Sequence, residues 1–291
     1  MEKRLKIDGA VVLITGAGHG IGLAILRETI RRGGIPVAVD HNPEATAALK
    51  SLVGEKGTLH QADVCDAHAM ETVVQETCSR FGGIDIIIAN AGIERIDPIE
   101  DMAADAFESV IETNLLGVYR TLKPALKSVV KRKGHIVALS SISALIPFPL
   151  AAAYSTSKAG VAMLMRVLRM ELNGTGATAG VCFFGFVETQ MANRIFSEKL
   201  LVRALNRFHA PLLGTWPQLT PEHAATKVLD GIEKRKARIF APPMARLTYW
   251  LQGLYAALDD IAAKHTMRRG NLIYQLRWQK RQRTKDRQSE R

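Results

Sequence analysis

Short apolar runs alternate along the chain with longer segments in which apolar residues recur at helical spacing. The apolar runs predict strands at 10–15, 35–40, 57–61, 84–89, 135–140, 179–184 and 238–241. The periodic segments predict helices at 20–33, 43–53, 66–81, 101–130 and 154–172. Because strands and helices alternate, we expect an α/β fold: one doubly wound parallel sheet of about seven strands, with helices on both faces.

The turn after the first predicted strand is rich in glycine. Residues 15–22, TGAGHGIG, fit the pattern T-G-x-x-x-G-x-G and do not fit G-x-G-x-x-G. Glycines let a backbone approach a pyrophosphate closely, and the N-terminus of the following helix offers free N–H groups and the positive end of its dipole. The pattern therefore predicts a Rossmann-type fold whose dinucleotide is held by Gly16, Gly18, His19, Gly20, Ile21 and Gly22.

The residue at the end of the second predicted strand bears on the choice of cofactor. Asp40 follows Gly22 by 18 residues, which is where an acid binds the 2′-hydroxyl of an adenosine ribose. Its carboxylate would repel a 2′-phosphate, and position 19 is His rather than Arg or Lys. NAD is therefore the expected cofactor. His41 and Arg27 are weaker indications of NADP.

A tyrosine and a lysine four residues apart form the candidate catalytic centre. Tyr154 and Lys158 share one face of a predicted helix, and Ser141 lies 13 residues before Tyr154, just past a strand end. A phenol is a poor base at neutral pH, but a neighbouring ammonium favours its phenolate. The serine hydroxyl is placed to hydrogen-bond a substrate oxygen. A lone Y-x-x-x-K pair is common in helices, so this interpretation depends on the surrounding motifs.

Together these residues resemble the short-chain dehydrogenase/reductase family over about residues 8–242. The resemblance adds the adenine contact Asp63-Val64, the cofactor-flanking Asn90-Ala91-Gly92, the helix residue Asn114, and the nicotinamide contacts Val187 and Thr189. It implies that Asn114 joins Ser141, Tyr154 and Lys158 in catalysis by opening a helical turn and holding a relay water. It also implies that Tyr154 and Lys158 contact the cofactor, with Lys158 on the nicotinamide ribose. Phe184-Gly185 departs from the family's Pro-Gly and frees a backbone angle.

The function implied by this resemblance is an NAD(H)-dependent oxidoreductase that transfers a hydride between the nicotinamide and a secondary alcohol or ketone. Segments 142–150 and 190–216 are rich in large apolar residues, which favours a lipophilic substrate. Basic residues within 190–216 leave an anionic substrate such as an acyl-CoA open. The alternatives are an NADP(H)-dependent reductase of the same family and a catalytically silent nucleotide-binding scaffold. We expect a homodimer or a homotetramer.

The C-terminal region divides into two parts after the catalytic domain predicted at 1–242. Residues 243–266 form an amphipathic helical extension with an apolar stripe of Leu247, Trp250, Leu251, Leu254, Leu258 and Ile261. We expect this stripe to cover the substrate pocket or a subunit interface. The alternative is peripheral contact with a membrane, in which the helix inserts shallowly. Residues 267–291 form a basic tail.

Composition and charge narrow the function classes. The 291 residues carry a net charge of +11, of which the tail supplies +7 from nine basic and two acidic residues. The tail is a solvated segment or an electrostatic tether, and no groove-reading motif accompanies it, so a nucleic-acid partner is not expected. Three scattered cysteines without C-x-x-C argue against disulfides and a metal site. We expect a cytoplasmic protein, with peripheral membrane attachment as the alternative.

Overall fold

The computed structural model describes residues 4–197, 218–243 and 245–267. Its strands are β1 (Val11–Thr15), β2 (Ile35–Asp40), β3 (Thr58–Gln61), β4 (Ile86–Ala89), β5 (His135–Ser141), β6 (Thr178–Phe184) and β7 (Arg238–Ala241). Its helices are α1 (Gly20–Arg31), α2 (Pro43–Val53), α3 (Ala67–Phe81), α4 (Ala104–Ile111), α5 (Gly117–Lys131), α6 (Ala152–Glu171), α7 (Gln190–Ser197), α8 (Pro221–Glu233) and α9 (Ala245–Met267).

The strands of the described chain form one parallel, seven-stranded sheet in the order β3-β2-β1-β4-β5-β6-β7. Helices α3, α5 and α6 pack on one face through residues such as Met70, Leu122 and Met165. Helices α1, α2 and α8 cover the other face. The predicted fold class is therefore confirmed. The strand order reverses between β1 and β4, so a ligand crevice opens there, at the carboxyl ends of the strands.

Local sequence signals explain where several elements begin and end. Asp66 caps α3 as the sequence predicts, because its side chain accepts hydrogen bonds from two backbone N–H groups of the first turn. The predicted helix 101–130 is instead two helices, since a π-helical turn at Glu112–Leu116 separates α4 from α5. Helix α8 is absent from the sequence prediction, although Thr220 caps it and Pro221 occupies its first turn.

The C-terminal helix presents a different face to the sheet from the one its sequence predicts. Ala245, Thr248 and Tyr249 are buried. Leu247, Trp250 and Leu254 of the predicted apolar stripe are 57–65% exposed, and Leu251 is half-buried. These exposed side chains therefore do not cover a pocket among the described residues, because small and aromatic residues on the opposite face make the contact with the sheet. The other half of the expectation, that they cover a subunit interface, stays a prediction. Leu258 and Ile261 lie outside the residues whose side chains are described.

Among the described residues, no helix is both long enough and apolar enough to cross a membrane.

Candidate active site

The glycine turn brings β1 and α1 so close together that a side chain would not fit. A Cβ at Gly22 would overlap the carbonyl oxygen of Gly16, and it would lie 2.5 Å from Nδ2 of Asn90. Gly16 and Gly20 have φ of +64° and +52°, which L side chains adopt only with strain. His19 precedes α1 without a side-chain capping bond. The turn thus leaves a cradle of backbone in front of the helix N-terminus, which suits a phosphate.

Asn90 fixes the position of this turn. Its Nδ2 donates to the carbonyl oxygens of Thr15 and Gly16, at 3.0 Å each. In return, the Thr15 hydroxyl accepts from the backbone N–H groups of Asn90 and Ala91, at 3.1 and 3.2 Å. The family resemblance implies that Asn90-Ala91-Gly92 lies beside the cofactor. The structure adds a reason for the asparagine, because four hydrogen bonds tie the end of β4 to the start of the glycine turn.

Asp40 is buried at the end of β2 and holds the same turn from the other side. Its Oδ2 accepts from the backbone N–H of Gly18 at 2.8 Å, and its Oδ1 accepts from Asn42 at 3.0 Å. A carboxylate oxygen has room for a second hydrogen bond, so a ribose hydroxyl remains compatible with this arrangement. Nδ1 of the exposed His41 lies 3.6 Å from Oδ1. Asp40 therefore shapes the loop as well as supplying charge.

The remaining predicted cofactor contacts lie around the same crevice. Asp63 is exposed after β3, and its Oδ1 accepts from the backbone N–H of Cys65. Val64 is buried against Gly117 at the start of α5. The contact is so close that a Cβ added to Gly117 would lie only 2.7 Å from Cγ2 of Val64. Thr189, in the loop after β6, lies against the glycine turn, because a Cβ added to Gly20 would lie 3.1 Å from the Thr189 methyl group. Val187 is buried and pairs with Leu219.

Ser141, Tyr154 and Lys158 meet where β5 ends and α6 begins. Nζ of Lys158 lies 5.6 Å from the centre of the Tyr154 ring and donates to the carbonyl oxygen of Leu139 at 2.9 Å. Burial lowers the pKa of Lys158 to about 8. Burial and the nearby charge of Glu94 raise the pKa of Tyr154 to about 12, although a hydrogen bond with Ser141 opposes them. Lys158 is not among the groups that shift this pKa, so stabilisation of the phenolate by the ammonium stays a prediction.

Asn114 lies in the π-helical turn, completely buried, and joins three segments of the site. Its Oδ1 accepts from the backbone N–H of Ile93 at 2.8 Å, and its Nδ2 donates to the carbonyl oxygen of Ile93 and to the hydroxyl of Ser157. The Ser157 hydroxyl in turn donates to the carbonyl oxygen of Tyr154. The widened turn that the resemblance implied is present, and it connects the segment after β4 to the catalytic helix.

Glu94 is a site residue that sequence reasoning missed. It follows Ile93, whose backbone is fixed by Asn114, and its charge raises the pKa of Tyr154. No motif marks position 94. The one available signal is its place two residues after Gly92 in a segment that the glycine-turn motif already directs to the crevice. The negative charge of Glu94 therefore disfavours the Tyr154 phenolate.

Replacing Glu94 by Gln is expected to lower the pKa of Tyr154, because it removes the negative charge that stabilises the protonated phenol. The pH profile of kcat for alcohol oxidation, which needs the deprotonated phenol, should then reach its plateau at lower pH. Glu108→Gln, on the exposed surface of α4, is the matched control. An unchanged profile, or a shift to higher pH, would show that Glu94 does not influence the catalytic tyrosine.

Apolar side chains occupy the loop before α6, which the sequence predicts to flank the substrate. Phe148, in the loop before α6, packs edge-on against Phe186 after β6, with ring centres 6.5 Å apart. Ile146 and Leu150 of the same loop are buried, and Leu150 has φ of +74°, a strained value for a bulky residue. Residues 198–217 of the predicted second wall, 190–216, lie outside the described residues. The described wall supports the apolar character that the sequence predicts.

Known proteins share this architecture. A model of the family "short chain dehydrogenase" matches residues 10–200. The 3-oxoacyl-acyl-carrier-protein reductase FabG of Escherichia coli (strain K12) is 29% identical over 196 residues, covering 67% of this chain and 80% of that protein. A short-chain dehydrogenase/reductase from Burkholderia phymatum, solved in complex with NAD, superposes with a TM-score of 0.75 at 23% identity and covers 88% of this chain and 96% of its own.

An alcohol dehydrogenase from the archaeon Thermococcus sibiricus, solved with 5-hydroxy-NADP, gives a TM-score of 0.66 at 25% identity and covers 80% of this chain and 96% of its own. The family match spans more than half of the chain and includes the glycine turn, Asn90, Asn114, Ser141, Tyr154 and Lys158. Sequence, sheet order and site geometry therefore agree. The chain belongs to the short-chain dehydrogenase family.

Proposed function

We propose that this chain is an NAD(H)-dependent oxidoreductase that interconverts a secondary alcohol and a ketone. The observation that carries the proposal is the meeting of Ser141, Tyr154 and Lys158 at the carboxyl edge of the sheet, beside the glycine turn. The bound nicotinamide would supply or accept the hydride at the carbinol carbon. The residues that fit the cofactor are the glycine turn for its pyrophosphate, Asp40 and Asp63 for its adenosine, and Val187 and Thr189 for its nicotinamide.

The proton is moved by Tyr154. With its pKa raised to about 12, the phenol is protonated at neutral pH and is ready to donate to a ketone oxygen. Ser141 hydrogen-bonds the tyrosine and holds the same substrate oxygen. The Lys158 ammonium stabilises the phenolate left behind, and we assign to it the nicotinamide ribose as well. Asn114 positions the start of α6 through Ser157 and holds the relay water that returns the proton.

The direct test is to measure turnover of a panel of lipophilic secondary alcohols and ketones through the change in nicotinamide absorbance. The apolar contact of Phe148 with Phe186 supports a substrate of this class. FabG acts, by its name, on a 3-oxoacyl group, which supports ketone reduction as one direction. Cofactor binding without turnover of any panel member would favour the catalytically silent scaffold.

Asp40 decides the cofactor in this proposal, because the structural neighbours hold both NAD and 5-hydroxy-NADP. Wild type should bind NADH at least about tenfold more tightly than NADPH, since a buried carboxylate opposite a phosphate costs more than one factor of ten. Asp40→Asn removes the charge and retains an oxygen for the Gly18 N–H, so the difference in affinity between NADH and NADPH should become smaller. Titrations by nicotinamide fluorescence measure both constants.

Asp63→Asn is the control for this cofactor experiment, because its carboxylate is assigned to the adenine and not to the 2′-position. It should leave the NADH-to-NADPH ratio unchanged. Equal or tighter NADPH binding by the wild type would contradict the NAD assignment.

A homodimer or homotetramer remains part of the proposal. Helix α6 exposes Met163, Val167 and Met170, which recur at helical spacing and therefore form one apolar stripe. Such a stripe is typical of a subunit interface. Light scattering on the eluting protein measures the number of copies.

A further inference from the structure

Helix α9 is anchored to the sheet by one face only. The ring of Tyr249 packs against Phe183 and Phe240, at 5.6 and 5.7 Å between centres, and the guanidinium of Arg238 lies 4.7 Å above it. Thr248 on the same face is completely buried. These contacts fix the first turns of α9, and so they also fix the direction in which its other face points.

The opposite face carries an exposed apolar patch, formed by Leu247, Trp250 and Leu254. The three residues follow i, i+3, i+7 spacing, so they share one stripe that points away from the sheet. The Trp250 ring is edge-on to Tyr249 at 5.7 Å between centres, and that contact holds the indole on the outer surface. Trp250 is nevertheless 65% exposed. Large side chains held in water at this spacing indicate a surface that meets an apolar partner.

Strong positive charge follows this patch in the sequence. Residues 268–291 contain nine Lys and Arg residues against two acidic ones, a net charge of +7. Helix α9 ends at Met267, directly before them. An apolar helix face and a basic cluster are the two signals that together attach a protein to a lipid surface, since neither alone gives stable binding.

We propose that the patch of Leu247, Trp250 and Leu254, together with the basic segment 268–291, binds the surface of an anionic lipid bilayer. The patch inserts among the headgroups, with the indole at the level that tryptophan favours. The basic segment binds the negatively charged lipids by electrostatic attraction. Because α9 is attached to the same domain that carries the active site, the enzyme would act next to the membrane without spanning it.

Two other partners fit these observations less well. A second copy would bring another segment with a net charge of +7 to the same contact, and the two basic segments would repel each other. A nucleic acid would use the basic charge but has no use for exposed Leu247, Trp250 and Leu254. An anionic bilayer uses both features.

The experiment is flotation of the full chain with vesicles of phosphatidylcholine alone or mixed with phosphatidylserine. Wild type should float with the mixed vesicles at physiological salt and not with phosphatidylcholine alone. The double variant Trp250→Ser with Leu254→Ser should lower the partition coefficient at least about tenfold, because each large apolar side chain inserted contributes about that factor. Lys280→Glu with Arg281→Glu and Arg283→Glu should lower it as well, and high salt should weaken wild-type binding.

The matched control is Ile99→Ser with Tyr119→Ser, which removes two exposed apolar side chains that lie outside α9 and outside the α6 stripe proposed as a subunit interface. It should float like wild type. None of the four side chains is assigned to the active site, so turnover in solution should be unchanged and shows that each variant is folded. Absence of flotation, or equal flotation of wild type and the Trp250/Leu254 variant, would overturn the proposal. Tight binding of duplex DNA without flotation, or loss of a dimer in the Trp250/Leu254 variant without an effect on flotation, would also overturn it.

Discussion

Replacing Tyr154 by Phe is expected to lower kcat by about 10²–10⁴-fold, the range in which a positioned acid or base contributes. The substitution keeps the ring next to Lys158 and removes only the hydroxyl that carries the proton. The cofactor should therefore bind almost as tightly as to the wild type. Steady-state kinetics with the best alcohol or ketone, together with a fluorescence titration of the cofactor, separate the two effects.

Tyr119→Phe on the exposed side of α5 is the control for this substitution and should leave kcat unchanged. Lys158→Ala should differ from both, because it removes a charge assigned to the ribose as well as to the phenolate. It should raise the cofactor dissociation constant and lower kcat together. Near-normal kcat in Tyr154→Phe would show that another group carries the proton.

Gly22→Ala is expected to weaken cofactor binding by about ten- to a hundredfold and to destabilise the fold by about 1–3 kcal/mol, the usual cost of overpacking. The added Cβ would overlap the Gly16 carbonyl oxygen and lie 2.5 Å from Nδ2 of Asn90. The Gly16 oxygen and the Asn90 Nδ2 cannot move independently, because Nδ2 donates hydrogen bonds to the carbonyl oxygens of Thr15 and Gly16. The turn must therefore open, and the phosphate cradle opens with it.

The matched control for Gly22→Ala is Gly253→Ala in α9, where a Cβ would meet nothing within 4 Å. Alanine is favoured over glycine in a helix by about 0.5–1 kcal/mol, so this variant should be as stable as the wild type or slightly more so. Thermal unfolding with and without NADH measures both effects. A Gly22→Ala protein with wild-type Tm and cofactor affinity would mean that the turn adapts and is not the phosphate site.

The sheet and the glycine turn could be predicted from the sequence because their signals are local, whereas the roles of Ser141, Tyr154 and Lys158 rest on the family resemblance. Buried parallel strands are uninterrupted apolar runs, and the glycine turn needs glycines at fixed spacing. The strand at 238–241 and the turn at Gly16–Gly22 can therefore be predicted from their own residues, without the rest of the chain. Asp66 as a helix cap is predictable for the same reason.

The features that the sequence did not predict depend on tertiary contacts. Glu94 affects Tyr154 only because Asn114 fixes the preceding residue, and no spacing rule expresses that. In α9, apolar periodicity suggested which face is buried, but Thr248 and Tyr249 occupy the sheet-facing side, since the position of Phe183 and Phe240 decides it. Helix α8 has a capping residue and a proline that mark its start, but its many polar residues weaken the helical periodicity of its apolar positions.

The segment from Asn90 to Ile93 is hydrogen-bonded at both ends, by Thr15 at the glycine turn and by Asn114 in the π-helical turn, which also donates to Ser157 of α6. The distance between the glycine turn, the proposed phosphate site, and Tyr154, the proposed proton donor, is therefore set by a stretch of backbone that is separate from the contact between Phe148 and Phe186. For protein engineering this separates two tasks. Under the proposed function, substitutions at Phe148 or Phe186 are expected to change the range of accepted substrates. Residues 90–93 and their two partners hold Tyr154 in register with the glycine turn and should be left untouched.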